Sequence, residues 1–153
     1  MLRKASLKDI KAIHGLLQHY GEQRILLPRP LTELYDHLRD FSVHVSPEDG
    51  SVVGCCALQF CWEDLAEIRS LAVLPENLNL GIGSELAAFA LSEARQYHIT
   101  HVFTLTYRPN FFQRLGFVRI DRSRLPLKIW GGCMNCVKFP DCDEIAMMKE
   151  IEY

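Results

Sequence analysis

The chain has 153 residues, 48% of them hydrophobic, which is enough to bury one core and too few for two ordinary domains, so a single domain over residues 1–153 is expected. Lys and Arg number 17 against 19 Asp and Glu with no run of five like charges, which argues against a nucleic-acid surface or a polybasic membrane patch and favours a small molecule or a protein as partner. The opening MLRKASLKDI scatters its charges and has no continuous apolar run, so neither a signal peptide nor a membrane span is read there; a cytoplasmic chain is expected, its six cysteines being thiols, metal ligands or buried small hydrophobes rather than a disulfide framework.

In chain order, residues 1–5 read as a short strand. Ser6 and Asp9 have the spacing of a capping box, and Ile10, Ile13, Leu17 and Tyr20 share one face of the helix it opens. In LLPRPL (26–31), Pro28 and Pro30 flank Arg29 and forbid regular helix before LTELYDHLRD (31–40) resumes the helical period, which places Arg29 in a stiff loop between two helices. FSVHV (41–45) alternates, PEDG (47–50) is a turn and SVVGCCALQFCW (51–62) is a long buried strand, so this pair predicts a hairpin. LAEIRSLAVLP (65–75) is a further strand, SELAAFALSEARQYH (84–98) a helix with Leu86, Phe89, Ala90, Ala94 and Tyr97 inward, and THVFTLTY (100–107) a strand, forming a crossover; IAMMKEI (145–151) reads as a closing strand. This order gives an α/β (α+β) class, a sheet with helices on its faces.

Between the strand and the crossover helix lies NLNLGIGS (77–84), with Gly81 and Gly83 at the helix start. Unpaired N–H groups and the positive end of the helix dipole gather there, and glycine admits a ligand close to the backbone, so a phosphate group is the natural guest. A dinucleotide fingerprint would want a third glycine where Leu86 stands, and no Gly-Lys-Ser/Thr occurs anywhere, so neither a Rossmann site nor a P-loop is read.

EIRSLAVLPENLNLGIGSELAAFAL resembles the acetyl-CoA-binding core of the Gcn5-related N-acetyltransferases (GNAT), and FFQRLGF (111–117), about 24 residues downstream, resembles that superfamily's second landmark. The stretches LLPRPLTELYDHLRDF, VVGCCALQFCWEDLAEIRSLAV, FTLTYRPNFFQRLGF and LPLKIWGGCMNCVKFPDCDEIAM narrow the resemblance to short, single-domain amino-acid N-acetyltransferases of the N-acetylglutamate synthase type. The resemblance implies a mixed central sheet with a splayed strand and helices on both faces. It also implies transfer of acetyl from acetyl-CoA to the α-amino group of an amino acid, L-glutamate foremost, as the first step of arginine biosynthesis, by direct attack with no covalent enzyme intermediate.

Carried over residue by residue, the backbone of Leu71, Ala72 and Val73 meets the pantetheine arm, and the N–H groups of Leu80, Gly81, Ile82, Gly83 and Ser84 meet the pyrophosphate. Leu78 stands where Gln or Arg is usual, and Asn79 and Leu80 replace the common Gly-Lys pair. Phe112, beside the cofactor, occupies the place where many members carry a tyrosine as general acid; Tyr107 is the alternative acid, or else a half-buried aromatic at a strand end. Glu67 stands where relatives place a glutamate base, and strand alternation sets it on the same face as Arg69. Glu63 and Asp64 are neighbours that could act through a water. Arg29, Arg69 and Arg108, with Lys128 as a fourth, are the cations an acidic amino acid requires, and the Ser70 backbone would orient the thioester carbonyl.

Cys133, Cys136 and Cys142, in a tail segment over 128–144, leave three readings open: a zinc site needing a fourth ligand such as Asp143, a redox pair, or packed thiols; the metal is unknown and zinc is not expected. Cys55, Cys56 and Cys61 read as core residues. Two function classes remain, an acetyltransferase acting on an amino acid or another amine, and a non-catalytic sensor of acetyl-CoA or an amino acid; a homodimer is left open.

Overall fold

Asp9 fixes where the chain leaves its first strand. In the computed structural model, which describes residues 1–23, 29–125 and 144–153 apart from the Glu22 side chain, strand β1 (Leu2–Lys4) is followed by one 3-10 turn (Leu7–Asp9) and helix α1 (Ile10–Glu22). The expected capping box is present: the Asp9 carboxylate accepts from the Ser6 N–H at 2.8 Å and the Ser6 hydroxyl at 3.0 Å, and it also takes both Nη1 and Nη2 of Arg3 at 2.6 and 3.0 Å. The helix proper starts at Ile10, later than the capping residues suggest, because the box itself closes a tighter turn.

Helix α2 (Leu31–Asp36) leads into β2 (Phe41–Val45), β3 (Val52–Trp62) and β4 (Leu65–Val73), all antiparallel neighbours. The helix predicted over 31–40 ends early: His37 leaves helical geometry, and Leu38–Asp40 form a separate 3-10 turn. Helix α3 (Ile82–Gln96) crosses over to β5 (His101–Thr106), which pairs with β4 in the one parallel ladder among the described residues. Helix α4 (Pro109–Arg114), a two-residue β6 (Val118–Arg119) that the sequence pattern does not announce, and β7 (Ile145–Glu150) complete a sheet of order β1-β2-β3-β4-β5-β7-β6 among the described residues.

The strands alternate between two apolar layers. Ile10, Ile13, Leu17 and Leu34 of α1 and α2 pack on Phe41, Val43, Cys55 and Ala57. On the other face Leu86, Ala90 and Ala94 of α3 meet Leu58, Ala66, Ile68 and Val102, with Phe112 and Phe117 beside them. Each large side chain so buried stabilises the fold by about 1.5–3 kcal/mol relative to exposure. Two inward assignments in α3 need correction. Phe89 is only half-buried, its place in the stripe taken by Ala87, and Tyr97 is 61% exposed because the helix ends at Gln96 and its ring turns outward onto Phe60. No helix among the described residues is long and apolar enough to cross a membrane.

Two irregularities interrupt the regular pairing of β4. Its ladder with β5 runs only from Leu65↔His101 to Glu67↔Phe103; beyond it the strands part, and the Thr104 hydroxyl donates to the Ile68 carbonyl at 3.0 Å where a ladder bond would otherwise lie. On the opposite edge Cys55 faces Ala72 and Ala57 faces Arg69, so β4 carries one residue more than β3 there, and Ser70 stands at φ +54°, the left-handed conformation such a bulge uses.

The Arg3 guanidinium and then the Ser6 donors hold the buried Asp9 carboxyl down at about 2, against 3.8 ordinarily. A depressed carboxylate pKa contributes stability above the unfolded value and loses it as pH falls through the folded one. Asp9→Asn should therefore cost about 2 kcal/mol at pH 7, shrinking toward zero near pH 2, as read by denaturant titrations across that range.

Candidate active site

The parting of β4 from β5 opens a cleft of about 1030 Å³. One wall is the backbone of Ser70, Leu71, Ala72 and Val73; the floor is the start of α3; the far wall is the end of β5 and α4. The turn into α3 is built for close approach. Asn79 (φ +65°) and Gly81 (φ +80°) are both left-handed, and the first α3 N–H to find a carbonyl is that of Glu85, to Gly81 at 3.0 Å. The N–H groups of Ile82, Gly83 and Ser84 thus have no acceptor within the helix and border the cleft, where the helix dipole favours an anion. A β-carbon on Gly83 would sit 3.5 Å from the Phe111 ring, an ordinary van der Waals contact, so α4 lies directly beside the start of α3. Leu78 lines the cleft, whereas Leu80 is 65% exposed and outside its lining.

Phe112 is buried between Phe111 and Phe117, edge-on to both at 5.0 and 5.2 Å, and forms apolar wall with no proton to give. Tyr107, half-buried, and Arg108, exposed, line the cleft just past β5, and the Arg108 N–H donates to the Thr106 hydroxyl at 2.8 Å. Tyr20 was legible only as the last member of the α1 apolar stripe. Its hydroxyl reaches across the cleft and donates to the Val73 carbonyl, so α1 closes that end of the wall.

A second group stands where β4 leaves β5. Arg29 precedes α2 with its side chain only 2% exposed, stacked 5.3 Å from the Phe41 ring centroid. Its Nε donates to Glu33 Oε1 at 3.0 Å and its Nη1 to Ser70 Oγ at 3.3 Å. Nη2 lies 3.0 Å from the same Glu33 oxygen but misaligned, and has no hydrogen-bond partner among the described residues. Burial and then the Arg69 charge lower the Arg29 pKa, opposed by Glu33.

The Glu67 side chain is 14% exposed, and burial pushes its carboxyl up to about 7, with Arg69 and Arg29 pulling down and Glu144 pushing further up. Arg69 lies with its Nε 4.0 Å from Glu67 Oε1 and donates from Nη1 to Gln59 Oε1 at 2.9 Å. The same-face placement of Glu67 and Arg69 therefore holds.

Glu67, Arg69, Ser70 and Arg29 form one cluster. Arg69 and Ser70 also belong to the cleft, while Glu67 and Arg29 sit behind its lining. Glu63 and Asp64 are exposed at the β3–β4 corner, where the Asp64 carbonyl accepts from the N–H groups of Thr100 and His101. Lys128, Cys133, Cys136, Cys142 and Asp143 lie outside the described residues. Among the described residues no group of three or more His, Cys, Asp and Glu side chains could hold a metal ion. Cys55 and Cys56 are free thiols, Cys55, Cys56 and Cys61 are all buried, and burial pushes the Cys55 thiol up to about 12.

Known proteins resemble this chain in sequence and fold. The acetyltransferase (GNAT) family model matches residues 11–117. The chain is 42% identical over 150 residues to an uncharacterized N-acetyltransferase of Chlorobaculum tepidum, covering 98% of this chain and 96% of that one. It is 37% identical over 131 residues to an amino-acid acetyltransferase of Mycobacterium tuberculosis, covering 85% and 75%. It superposes with a TM-score of 0.90, at 28% identity, on the N-acetylglutamate synthase of Neisseria gonorrhoeae solved with coenzyme A and N-acetyl-glutamate; the match covers 100% of this chain and 35% of that one, so the chain spans about a third of that protein.

In the fold Glu67 keeps its proton to about pH 7, whereas the unfolded chain releases it near 4.5. The folded state then binds more protons between those values, so stability falls as pH rises from about 4.5 to about 7. Glu67→Gln should leave the melting temperature unchanged at pH 4 and raise it at pH 8, by the equivalent of on the order of 3 kcal/mol; parallel curves for the two proteins would contradict the raised pKa.

Proposed function

This chain belongs to the acetyltransferase (GNAT) family, and we propose that it moves acetyl from acetyl-CoA to the α-amino group of an amino acid, L-glutamate foremost, as a first step toward arginine. Arg29 carries the assignment of an acidic acceptor. A buried guanidinium whose Nη2 is paired in charge with Glu33 at 3.0 Å, yet has no aligned hydrogen-bond acceptor among the described residues, favours a ligand that accepts from it, and a carboxylate is the acceptor whose geometry it fits. Arg108, exposed at the far wall, and Arg69 supply charge for a second carboxylate. The name of the Mycobacterium protein supports an amino acid as acceptor, and that of the Neisseria protein supports glutamate.

The cleft fits coenzyme A. The backbone of Leu71, Ala72 and Val73 borders it along the pantetheine path, and the N–H groups of Gly81 to Ser84 meet the pyrophosphate; Leu80, outside the lining, contributes least. Tyr20 already occupies the Val73 carbonyl, which leaves Leu71 and Ala72 as the freer partners.

The acceptor arrives as an ammonium and must lose a proton. A carboxylate titrating near 7 is poised to take it, directly or through a water, and Glu67 is that group. The neutral amine attacks the thioester carbon, the C–N bond forms, and the C–S bond breaks to release the thiolate, with the Ser70 backbone orienting the carbonyl. The attacking nitrogen sheds its second proton as the amide forms, and that proton replaces the one Tyr107 at the cleft wall gives to sulfur; a thiolate of pKa about 8.5 also leaves tolerably without help, the nitrogen's proton then passing to water, which accommodates Phe112. Holding amine, thioester and base together removes the entropic cost of their meeting, so no covalent intermediate is required.

Free thiol release from acetyl-CoA should saturate with glutamate and not with glutamine. Release with neither, while acetyl-CoA still raises the melting temperature, would leave the fold and replace the acceptor or make the protein a sensor. Arg29→Ala should raise the KM for glutamate about 10- to 100-fold, the loss of one charged hydrogen bond. Glu67→Gln should lower kcat about 10²–10⁴-fold with coenzyme A binding retained, and the wild-type kcat/KM should fall below pH of about 7 as Glu67 takes up its proton.

A further inference from the structure

Gln59 is a neutral residue near the end of β3, half-buried, directly across the ladder from Glu67. Arg69 is paired with Ala57, a residue too small to reach it, so the guanidinium has two neighbours to lean on: Glu67 on its own strand, two residues back, and Gln59 on the diagonal. It takes Gln59. The Nη1–Oε1 bond is 2.9 Å, while the Arg69 Nε stands 4.0 Å from Glu67 Oε1, beyond hydrogen-bonding distance. A guanidinium has only donors, so the Gln59 carbonyl oxygen must face it and the orientation of the amide is fixed.

We propose that Gln59 is a positioning residue, whose side-chain carbonyl holds Arg69 off Glu67 and so keeps that carboxyl from closing into a tight ion pair. Its catalytic meaning rests on the reading of Glu67 as the base. An opposite charge at ion-pair distance drives a carboxyl pKa down, and a base collapsed onto an arginine would be both weaker and less accessible to an ammonium. The groups that face Glu67 among the described residues are Arg69 on the same strand, Arg29 ahead of α2 and Glu144 at the head of β7; of the two arginines, Arg29 is committed to Glu33 and Ser70, which leaves Arg69 as the cation whose position can change.

The test observes the Glu67 carboxyl itself. In the full chain labelled with ¹³C at the glutamate side-chain carboxyls, the Glu67 resonance is identified by its loss in Glu67→Gln and titrated from pH 4 to 9 without substrates. Gln59→Ala should release Arg69 onto Glu67 and lower the midpoint by about one pH unit. Gln59→Glu keeps Arg69 engaged and adds a like charge opposite Glu67, and should raise the midpoint by a similar amount. A role in packing alone would not move it in opposite directions. Midpoints that stay within about 0.3 unit of wild type in both variants, or move the same way, would overturn the proposal. The pH dependence of kcat/KM is read alongside: a resonance that moves in both directions while the kinetic limb stays fixed would uphold Gln59 and remove Glu67 as the base.

Discussion

The rest of the site depends on the failure of β4 and β5 to stay paired. A parallel pair that ran on past Glu67↔Phe103 would seal the sheet, and the cleft would be a continuous ladder. Two local devices prevent this. Thr104 spends its hydroxyl on the Ile68 carbonyl, which satisfies a backbone acceptor without another strand, and the Ser70 bulge rotates β4 away while still pairing it with β3. Beyond the bulge Ala72 and Val73 keep their pairing with β3 and have no strand pairing on the side toward β5.

The bulge also does something for the charged cluster. Glu67 and Arg69 lie before the bulge and stand on one face as in any regular strand, while at the bulge Ser70 sits where its hydroxyl meets the Arg29 Nη1. A buried guanidinium is tolerable only when its donors find acceptors. Glu33, one helical turn ahead of it in sequence, supplies the ion pair, and Phe41 supplies an aromatic face. Arg29 is thus held by its own helix, by a strand and by the bulge, which is why a residue in a proline-flanked loop can be so well fixed.

Much of this was legible in the sequence because it is local. The capping box, the hairpin, the glycine turn and the crossover each declare themselves within a dozen residues, and the two-residue period of LAEIRS was enough to put Glu67 beside Arg69. What was not legible depends on partners distant along the chain. Arg29 read as a loop cation, and its burial follows only from where Phe41 and Ser70 come to lie. Tyr20 read as core, yet its hydroxyl closes the cleft at Val73. Gln59 gave no signal at all, since one polar residue in an apolar strand has no spacing to reveal it. The misplaced Tyr97 shows the converse limit: helical period places a side chain correctly only as far as the helix runs, and this one stops a residue short.

The turn NLNLGIGS lacks the cationic side chains that its resemblance would suggest, and Leu78 and Leu80 are about half or more exposed there. An anion in that cradle is met by backbone N–H groups and a helix dipole, and these do not titrate. Glu67, on the other hand, is pushed up to about 7 by burial behind the cleft lining, among Arg69, Arg29 and Glu144. On the proposed reading the two halves of the site answer differently to pH. Cofactor capture rests on fixed dipoles and stays level through neutrality, while removal of the acceptor's proton is governed by a single carboxyl. That separation is a consequence of putting the anion site on a helix end and the base on a strand, with the splay of β4 as the only element they share.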